Sequence, residues 1–594
     1  MAATILGMGI LASFLAPCVL AQPMPAVPLW PYPVQFQSGG TSVTVATTIG
    51  IEFVNTSSAV QPQLLAAFER FKSSAFADEE GASNTGLTKL VVTVQSDQDL
   101  QLGVDESYYL EIPVAGDIKL IAATVYGAYH GLTSLTQLIQ FDYDALDFYI
   151  THAPWFIKDS PRYSHRELLI DTSRHFEPIP AIKHIIDSMT MAKLNVLHWH
   201  IVDIQSFPAA SRVHPELAQK GAYGPSQRYT WAQMKGVVEY ARARGIRVVP
   251  EFDVPAHTDS WYHSHPELFP AGCKQALDPA NENVYNFYQE LLKDWSEIFT
   301  DKVLHLGTDE LPKACWNNSG DIAFMKKQGL QSLDDLFGYF VKRVVEIAEG
   351  LGKEACVWDE SIIRTNLTPA TAQIQIWHGD PGLRQKALSA GHNVIYSPNT
   401  VWYLDWLQTP WETMYEVEPE LPTPIGTGRI LGGGGEMWGE TVDPSDLEST
   451  VWPRLAAIAE RLWSPKEATV GAEGARQRLL LFRCWLLQHG VRTNVVGGRG
   501  RAPPPGPGAC WQEGTTTTTS HVDAAQLEWT TYSKKDSGSH AEHNFRFVAA
   551  AGTLVVISIG VTACFAASMT IQIVRRRANE GLLLGQHGPA SHDP

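Results

Sequence analysis

Asp309 and Glu310 follow the apolar run Val303-Leu304-His305-Leu306-Gly307. Adjacent strand residues face opposite sides unless the strand is ending, and at a strand end both can reach one mouth. Two carboxylates in one site repel as anions, so one tends to hold a proton. That is the arrangement needed for one acid and one anionic helper. A helix-start Asp beside a solvent-facing Glu accounts equally well for the spacing alone. His198-Trp199-His200 places two imidazoles on one side of a strand. The spacing would suit a metal if further ligands converged, and His257, His305 and His378 are the available ones. A hydrogen-bonded polar pair is the simpler reading. Trp358, Trp377 and Trp438 offer flat aromatic faces suited to the C–H faces of a pyranose, although core packing is the default for any one Trp.

These residues sit in a repeating frame. Short apolar runs at 168–171, 196–203, 247–253, 303–310, 355–360, 374–377, 393–396 and 432–440 read as eight strands. Helical stretches lie between them, clearest at 231–244, 284–299 and 333–350. Near-continuous apolar strands alternating with helices imply a parallel sheet covered on both faces. Eight such units predict an α/β fold, a (β/α)8 TIM barrel, with a doubly wound open sheet as the runner-up. Nearly every predicted strand ends in Asp, Glu, His or Trp, and barrel enzymes build their sites at those ends. Before the barrel, strand-like stretches at 44–53, 90–95 and 108–118 and helix-like ones near 64–71 and 128–140 predict a small α+β domain.

The ends differ in composition. Residues 1–21 are apolar and finish Val19-Leu20-Ala21, which fits signal-peptidase cleavage better than an uncleaved anchor. Residues 497–546 are rich in Gly, Pro and Thr and read as a stalk. Residues 547–574 carry no charge and run into Arg575-Arg576-Arg577, the pattern of a membrane-crossing helix with a cytoplasmic tail at 575–594. The predicted organisation is therefore an N-terminal domain at 22–161 and a barrel at 162–496, held outside the membrane or in a lumen. The secretory pathway, ending at the cell surface or a vacuole or lysosome, is the expected location. Sequons at Asn55, Asn317 and Asn366 agree with export. With 63 acidic residues against 45 basic ones, nucleic-acid binding is not expected. Of seven cysteines, Cys18 and Cys564 fall in the two apolar ends, leaving Cys273, Cys315, Cys356, Cys484 and Cys510. An odd set of five leaves the pairing open.

Taken together, the motifs Arg166 with Asp171-Thr172-Ser173-Arg174-His175, His198-Trp199-His200-Ile201-Val202-Asp203, Pro250-Glu251-Phe252-Asp253 with His257, Asp309-Glu310, Trp402-Tyr403-Leu404-Asp405 and Trp438-Gly439-Glu440 resemble the family 20 glycoside hydrolases, the β-N-acetylhexosaminidases. The resemblance runs from about residue 28 to 496 and is strongest to the plant and animal lysosomal-type enzymes. It implies retaining, exo-acting removal of terminal GlcNAc or GalNAc, with the substrate's own acetamido oxygen as nucleophile, an exception to the two-carboxylate scheme. Glu310 would be the acid, Asp309 would hold the acetamido N–H, Tyr403 would orient its oxygen, and His257 would stand behind Glu310, coupled to Asp203. Trp358, Trp377 and Trp438 would line the pocket, and Arg166, Asp203, Asp405 and Glu440 would bind sugar hydroxyls. No metal or cofactor is implied. The resemblance also implies disulfides Cys273–Cys315 and Cys484–Cys510, a free Cys356 and a homodimer. Thr308, Ala256 and Glu167 stand where the family usually has small residues. A catalytically weak surface glycan-binding protein on the same fold is the alternative expectation, resting on Thr308.

Overall fold

The computed structural model describes residues 27–77, 84–469 and 471–496. The expected signal peptide, stalk, membrane helix and tail, together with Cys510, lie outside the described residues. Among the described residues no helix is long and apolar enough to cross a membrane.

The N-terminal domain is built on a six-stranded sheet. Its strands are β1 (Gln35–Phe53), β2 (Leu87–Val94), β3 (Tyr108–Ile112), β4 (Ile118–Ala122), β5 (Gln140–Asp142) and β6 (Asp147–Asp159). Helices Gln61–Ala75 and Val125–Leu138 bury Phe68, Phe71, Leu132 and Leu135 in a core shared with the sheet. The stretch expected as one strand, 108–118, is instead β3, a turn and the first residue of β4. Gly116 at φ 104° reverses the chain, and β3 and β4 pair antiparallel, Glu111 opposite Lys119. Strands β5 and β6 were not among the expected elements, and β6 carries an internal proline, which is unusual in a strand. Pro154 falls where the register with β1 shifts.

The eight expected barrel strands all form, as β7 (His165–Asp171), β8 (Val196–Val202), β9 (Arg247–Phe252), β10 (Val303–His305), β11 (Glu354–Trp358), β12 (Gln373–Ile376), β13 (Val394–Tyr396) and β14 (Ile430–Met437). They close into one barrel, and β14 pairs in parallel with β7 from Gly432–His165 to Met437–Ile170. Closure excludes the open sheet. The covering helices begin where local chemistry starts them. Thr230 and Gln233 form a capping box for Trp231–Arg242, and Ser332 and Asp335 do so for Leu333–Gly350, each satisfying backbone N–H groups that a helix end leaves unpaired.

The two domains meet in a buried polar seam at the N-terminal end of the barrel. There the guanidinium of Arg166 donates to both carboxylate oxygens of Glu106, at 2.6 and 3.0 Å, and to the carbonyls of Tyr163 and Lys193. Lys193 Nζ lies 2.8 Å from Asp159 Oδ2. Arg166 is therefore not a sugar ligand. It is the second residue of β7, and parallel strands carry the site at their other end.

Candidate active site

At the C-terminal strand ends the chain leaves β10 and turns sharply. Gly307, Thr308 and Glu310 take φ of 67°, 82° and 49°, a left-handed region that a β-branched residue such as Thr308 rarely adopts. Gly307 has no substitute here, because a Cβ would lie 1.7 Å from Asp253 Oδ1. The turn swings both Asp309 and Glu310 toward the mouth. The Thr308 amide donates to Asp253 Oδ1 at 2.9 Å, pinning the turn to the end of β9.

His257, in the connection after β9, stands behind the acids. Its Nε2 is 3.6 Å from Asp309 Oδ2 and 3.5 Å from Glu310 Oε2, while Nδ1 is 3.1 Å from Asp203 Oδ1. Burial disfavours its cation, but Asp309 and Asp203 outweigh that and hold it protonated. The imidazolium beside Glu310 keeps that carboxyl below its ordinary range. Burial, with the adjacent charge of Asp309, drives the Asp253 carboxyl well above its usual value, so Asp253 carries the proton of that pair. Glu310 is the open member, with its side chain 59% exposed against 14% for Asp309.

Behind His257 runs a relay of alternating imidazoles and carboxylates along the barrel interior. Asp203 Oδ2 meets His200 Nε2 at 2.6 Å, and His200 Nδ1 meets Glu251 Oε2 at 2.6 Å. Glu251 Oε2 lies 3.0 Å from His198 Nε2, His198 Nδ1 lies 3.1 Å from Glu167 Oε1, and Glu167 Oε2 lies 2.7 Å from His165 Nε2. Although burial opposes both cations, the flanking carboxylates lift His198 to about 10 and His200 to about 9. The His198-Trp199-His200 pair is thus a hydrogen-bonded pair whose nitrogens face carboxylates. His198, Glu251 and His305 also lie close enough to share an ion, with Glu251 Oε1 accepting from Trp358 Nε1 at 2.7 Å.

Aromatic rings wall the mouth in a continuous row. Ring centroids are 6.1 Å apart for Trp358 and Trp438, 6.2 Å for Trp438 and Tyr403, and 6.4 Å for Tyr403 and Trp377. Trp377 Nε1 donates to Glu360 at 3.0 Å, which fixes that ring. Burial raises the Tyr403 hydroxyl well above its ordinary value, so it stays a neutral donor. Asp405 is half-buried with Oδ1 lacking a hydrogen-bond partner, and burial lifts its carboxyl to about 7.

The chain is similar to characterised proteins over both domains. The model for the glycosyl hydrolase family 20 catalytic domain matches residues 163–466, and one described as beta-acetyl hexosaminidase like matches 29–138. Beta-hexosaminidase 1 of Arabidopsis thaliana is 39% identical, with 82% of this chain and 94% of that protein covered. Beta-hexosaminidase subunit beta of Homo sapiens is 36% identical, covering 81% and 90%. The chain belongs to glycosyl hydrolase family 20. Among solved structures, the chitobiase FjGH20 of Flavobacterium johnsoniae superposes with a TM-score of 0.70 at 28% identity, covering 78% of this chain and 73% of that one.

Two of the expected sugar ligands of this family 20 chain are placed elsewhere. Arg166 is in the domain seam, and Asp203 is fully buried. The Asp203 oxygens are already taken by His200, His257, Arg174 and the amide of Ile204, so it is a positioning residue behind His257. The cation that does reach the mouth is Arg174. Its guanidinium lies 3.0 Å from Asp171, 2.9 Å from Asp203 and 3.7 Å from Glu440, and 5.1 Å over the Trp438 ring. Arg174 stands in the same motif as Arg166, to which the family resemblance assigned the sugar role. Its position just past the C-terminal end of β7 is the signal that distinguishes the two. Cys273 and Cys315 form a disulfide and Cys356 is free and buried. The other expected pair includes Cys510, outside the described residues. Asn55, Asn317 and Asn366 are all exposed.

Proposed function

We propose that the protein is an exo-acting β-N-acetylhexosaminidase, removing terminal non-reducing GlcNAc or GalNAc from glycoconjugates or chitooligosaccharides. The observation that carries this reading is the imidazolium of His257 set between Asp309 and Glu310, with Glu310 the open member of that pair. One exposed carboxyl in the pair supports one proton donor. Asp309, backed by protonated Asp253 and His257, is suited to stabilise rather than to attack. The nucleophile is then the substrate's acetamido oxygen, held against the aromatic row by Tyr403. Glu310 protonates the leaving oxygen and later takes a proton from the water that opens the oxazolinium. Asp309 accepts from the acetamido N–H and offsets the charge that develops there. Arg174, Asp405 and Glu440 supply polar contacts for the sugar hydroxyls, and nothing in this scheme calls on a cofactor.

The test is turnover of an aryl β-N-acetylglucosaminide by the full-length chain. Glu310→Gln is expected to lower kcat by roughly 10²–10⁴-fold, and Asp309→Asn by a comparable factor. A folded wild-type chain that binds GlcNAc and turns nothing over would sink the reading and favour the glycan-binding alternative. We further propose that the uncharged stretch 547–574, followed by Arg575-Arg576-Arg577, anchors the chain once, with the barrel outside or in a lumen as a glycosylated homodimer. Support for the orientation is the basic cluster on the C-terminal side. Protease shielding of a tag placed after Pro594, on intact cells, tests it.

A further inference from the structure

Two segments distant in sequence share the same four residues, His214-Pro215-Glu216-Leu217 and His265-Pro266-Glu267-Leu268. The fold brings them together. The first opens the short helix Glu216–Gly221 in the connection after β8, and the second forms a single turn in the connection after β9. His265 Nε2 lies 2.9 Å from Glu216 Oε1, and His214 Nδ1 lies 3.6 Å from the same oxygen. The opposite nitrogens are engaged as well. His214 Nε2 is 2.9 Å from Glu290 Oε2, on the helix Glu282–Ser296, and His265 Nδ1 is 3.0 Å from Glu267 Oε1. Phe287 of the same helix packs against both imidazoles, with centroids 3.9 and 4.5 Å away. The two imidazole side chains are only 16% and 13% exposed.

Two imidazole nitrogens and one carboxylate oxygen facing a common point make up the donor set of a tetrahedral zinc site with one position left for water. Metal–ligand bonds of about 2.0–2.1 Å put neighbouring tetrahedral ligands roughly 3.3 Å apart. The 2.9 and 3.6 Å separations around Glu216 Oε1 bracket that spacing. Ligating histidines characteristically give their second nitrogen to a carboxylate, which fixes the tautomer and orients the ring. Glu290 and Glu267 are placed to do this for His214 and His265. Without an ion, His265 touches carboxylates through both nitrogens, which a neutral imidazole cannot satisfy as a double donor.

We infer that His214, Glu216 and His265 form a site for a divalent transition-metal ion of the zinc type, separate from the catalytic centre. The ion joins the connections after β8 and β9. The first of these begins at Asp203 and the second carries His257, so the ion braces the wall that holds both and takes no part in the reaction.

The test is to dialyse the full-length chain against zinc chloride at neutral pH, count bound zinc by mass spectrometry and locate it by anomalous diffraction. One zinc per chain between the two His-Pro-Glu segments is expected. His214→Gln and His265→Gln should abolish stoichiometric binding. Glu290→Gln, an exposed side chain whose loss does not threaten the fold, should weaken affinity about 10–100-fold. Turnover of the aryl substrate should stay within about twofold in each variant. Three results would overturn the site: no zinc retained by the wild-type chain, unchanged affinity in the His and Glu290 variants, or an anomalous peak elsewhere, such as at His198, Glu251 and His305.

Discussion

His257 sets how readily Glu310 gives up its proton. Glu310 must be protonated to act as acid, and the imidazolium 3.5 Å away favours its anion. The acid form therefore persists only at low pH, and activity falls as pH rises through the lowered Glu310 value. In His257→Gln the cation is gone, so the carboxyl regains proton affinity. The basic limb of the kcat profile should move to higher pH while kcat itself drops. A limb that stays in place would show that His257 does not tune Glu310. The two arginines of the first motif separate by assay in the same way. Arg174→Lys removes a forked donor from the mouth and should cost kcat/KM about 10–100-fold, the worth of roughly 1.5–3 kcal/mol for hydrogen bonds to charged groups. Arg166→Lys should instead lower stability and leave KM alone. Residue types at the site were legible in the sequence, because acids and Trp recur at strand ends. Which of two arginines faces the sugar was not, because a motif does not say which end of its strand each residue occupies. Asp203 was misread for a related reason. Its place at the end of β8 suits a ligand, and only the three-dimensional count of its donors shows it is saturated.

At the scale of elements, strands β7, β8 and β9 carry the relay that ends on Glu310. Its far end rests on Glu167, which holds His165 at 2.7 Å and His198 at 3.1 Å. Though burial works against it, the neighbouring His198 and His165 keep the Glu167 carboxyl well below its ordinary range. Glu167→Gln leaves a buried imidazolium without its counter-charge, and breaking such a pair costs about 3–5 kcal/mol. Urea denaturation should show that loss, and an unchanged midpoint would mean the relay carries no strain when its end is neutral. The barrel strands were legible because both their faces are covered, which makes each a plain apolar run. The N-terminal sheet was less so. The expected stretch 108–118 runs through the turn at Gly116 and stops at the first residue of β4, and β6 carries Pro154 within it. The turn after β10 is invisible in the pattern 303–310, since its three left-handed residues include Thr308, a type that sequence rules place in strands.

For the whole molecule, the seam between the domains ties the barrel's base to the N-terminal sheet through charges that never meet water. Glu106 is buried and accepts from Arg166 twice, from Asn195 at 3.0 Å and faces His130 at 2.9 Å. Burial pushes its carboxyl up, but Arg166 and His130 prevail and hold it at about 2, against an ordinary 4.5. A carboxyl whose folded value is depressed stabilises the fold above its unfolded value. That contribution is lost as pH falls from about 4.5 toward 2, and here it amounts to about 3 kcal/mol. Because the Glu310 carboxyl is also held below its ordinary range, the acid range in which Glu310 takes up its proton overlaps the range in which the seam's contribution declines. Glu106→Gln removes the anion and strands Arg166, at a cost of about 3–5 kcal/mol near neutral pH. It should also flatten the fall in stability between pH 4.5 and 2, because the titrating group is gone. Denaturation midpoints of wild type and variant, measured at pH 6 and pH 3, decide the matter: curves that converge toward acid pH carry the seam's signature, whereas curves that run parallel would assign the acid sensitivity to other carboxylates and leave Glu106 as packing alone.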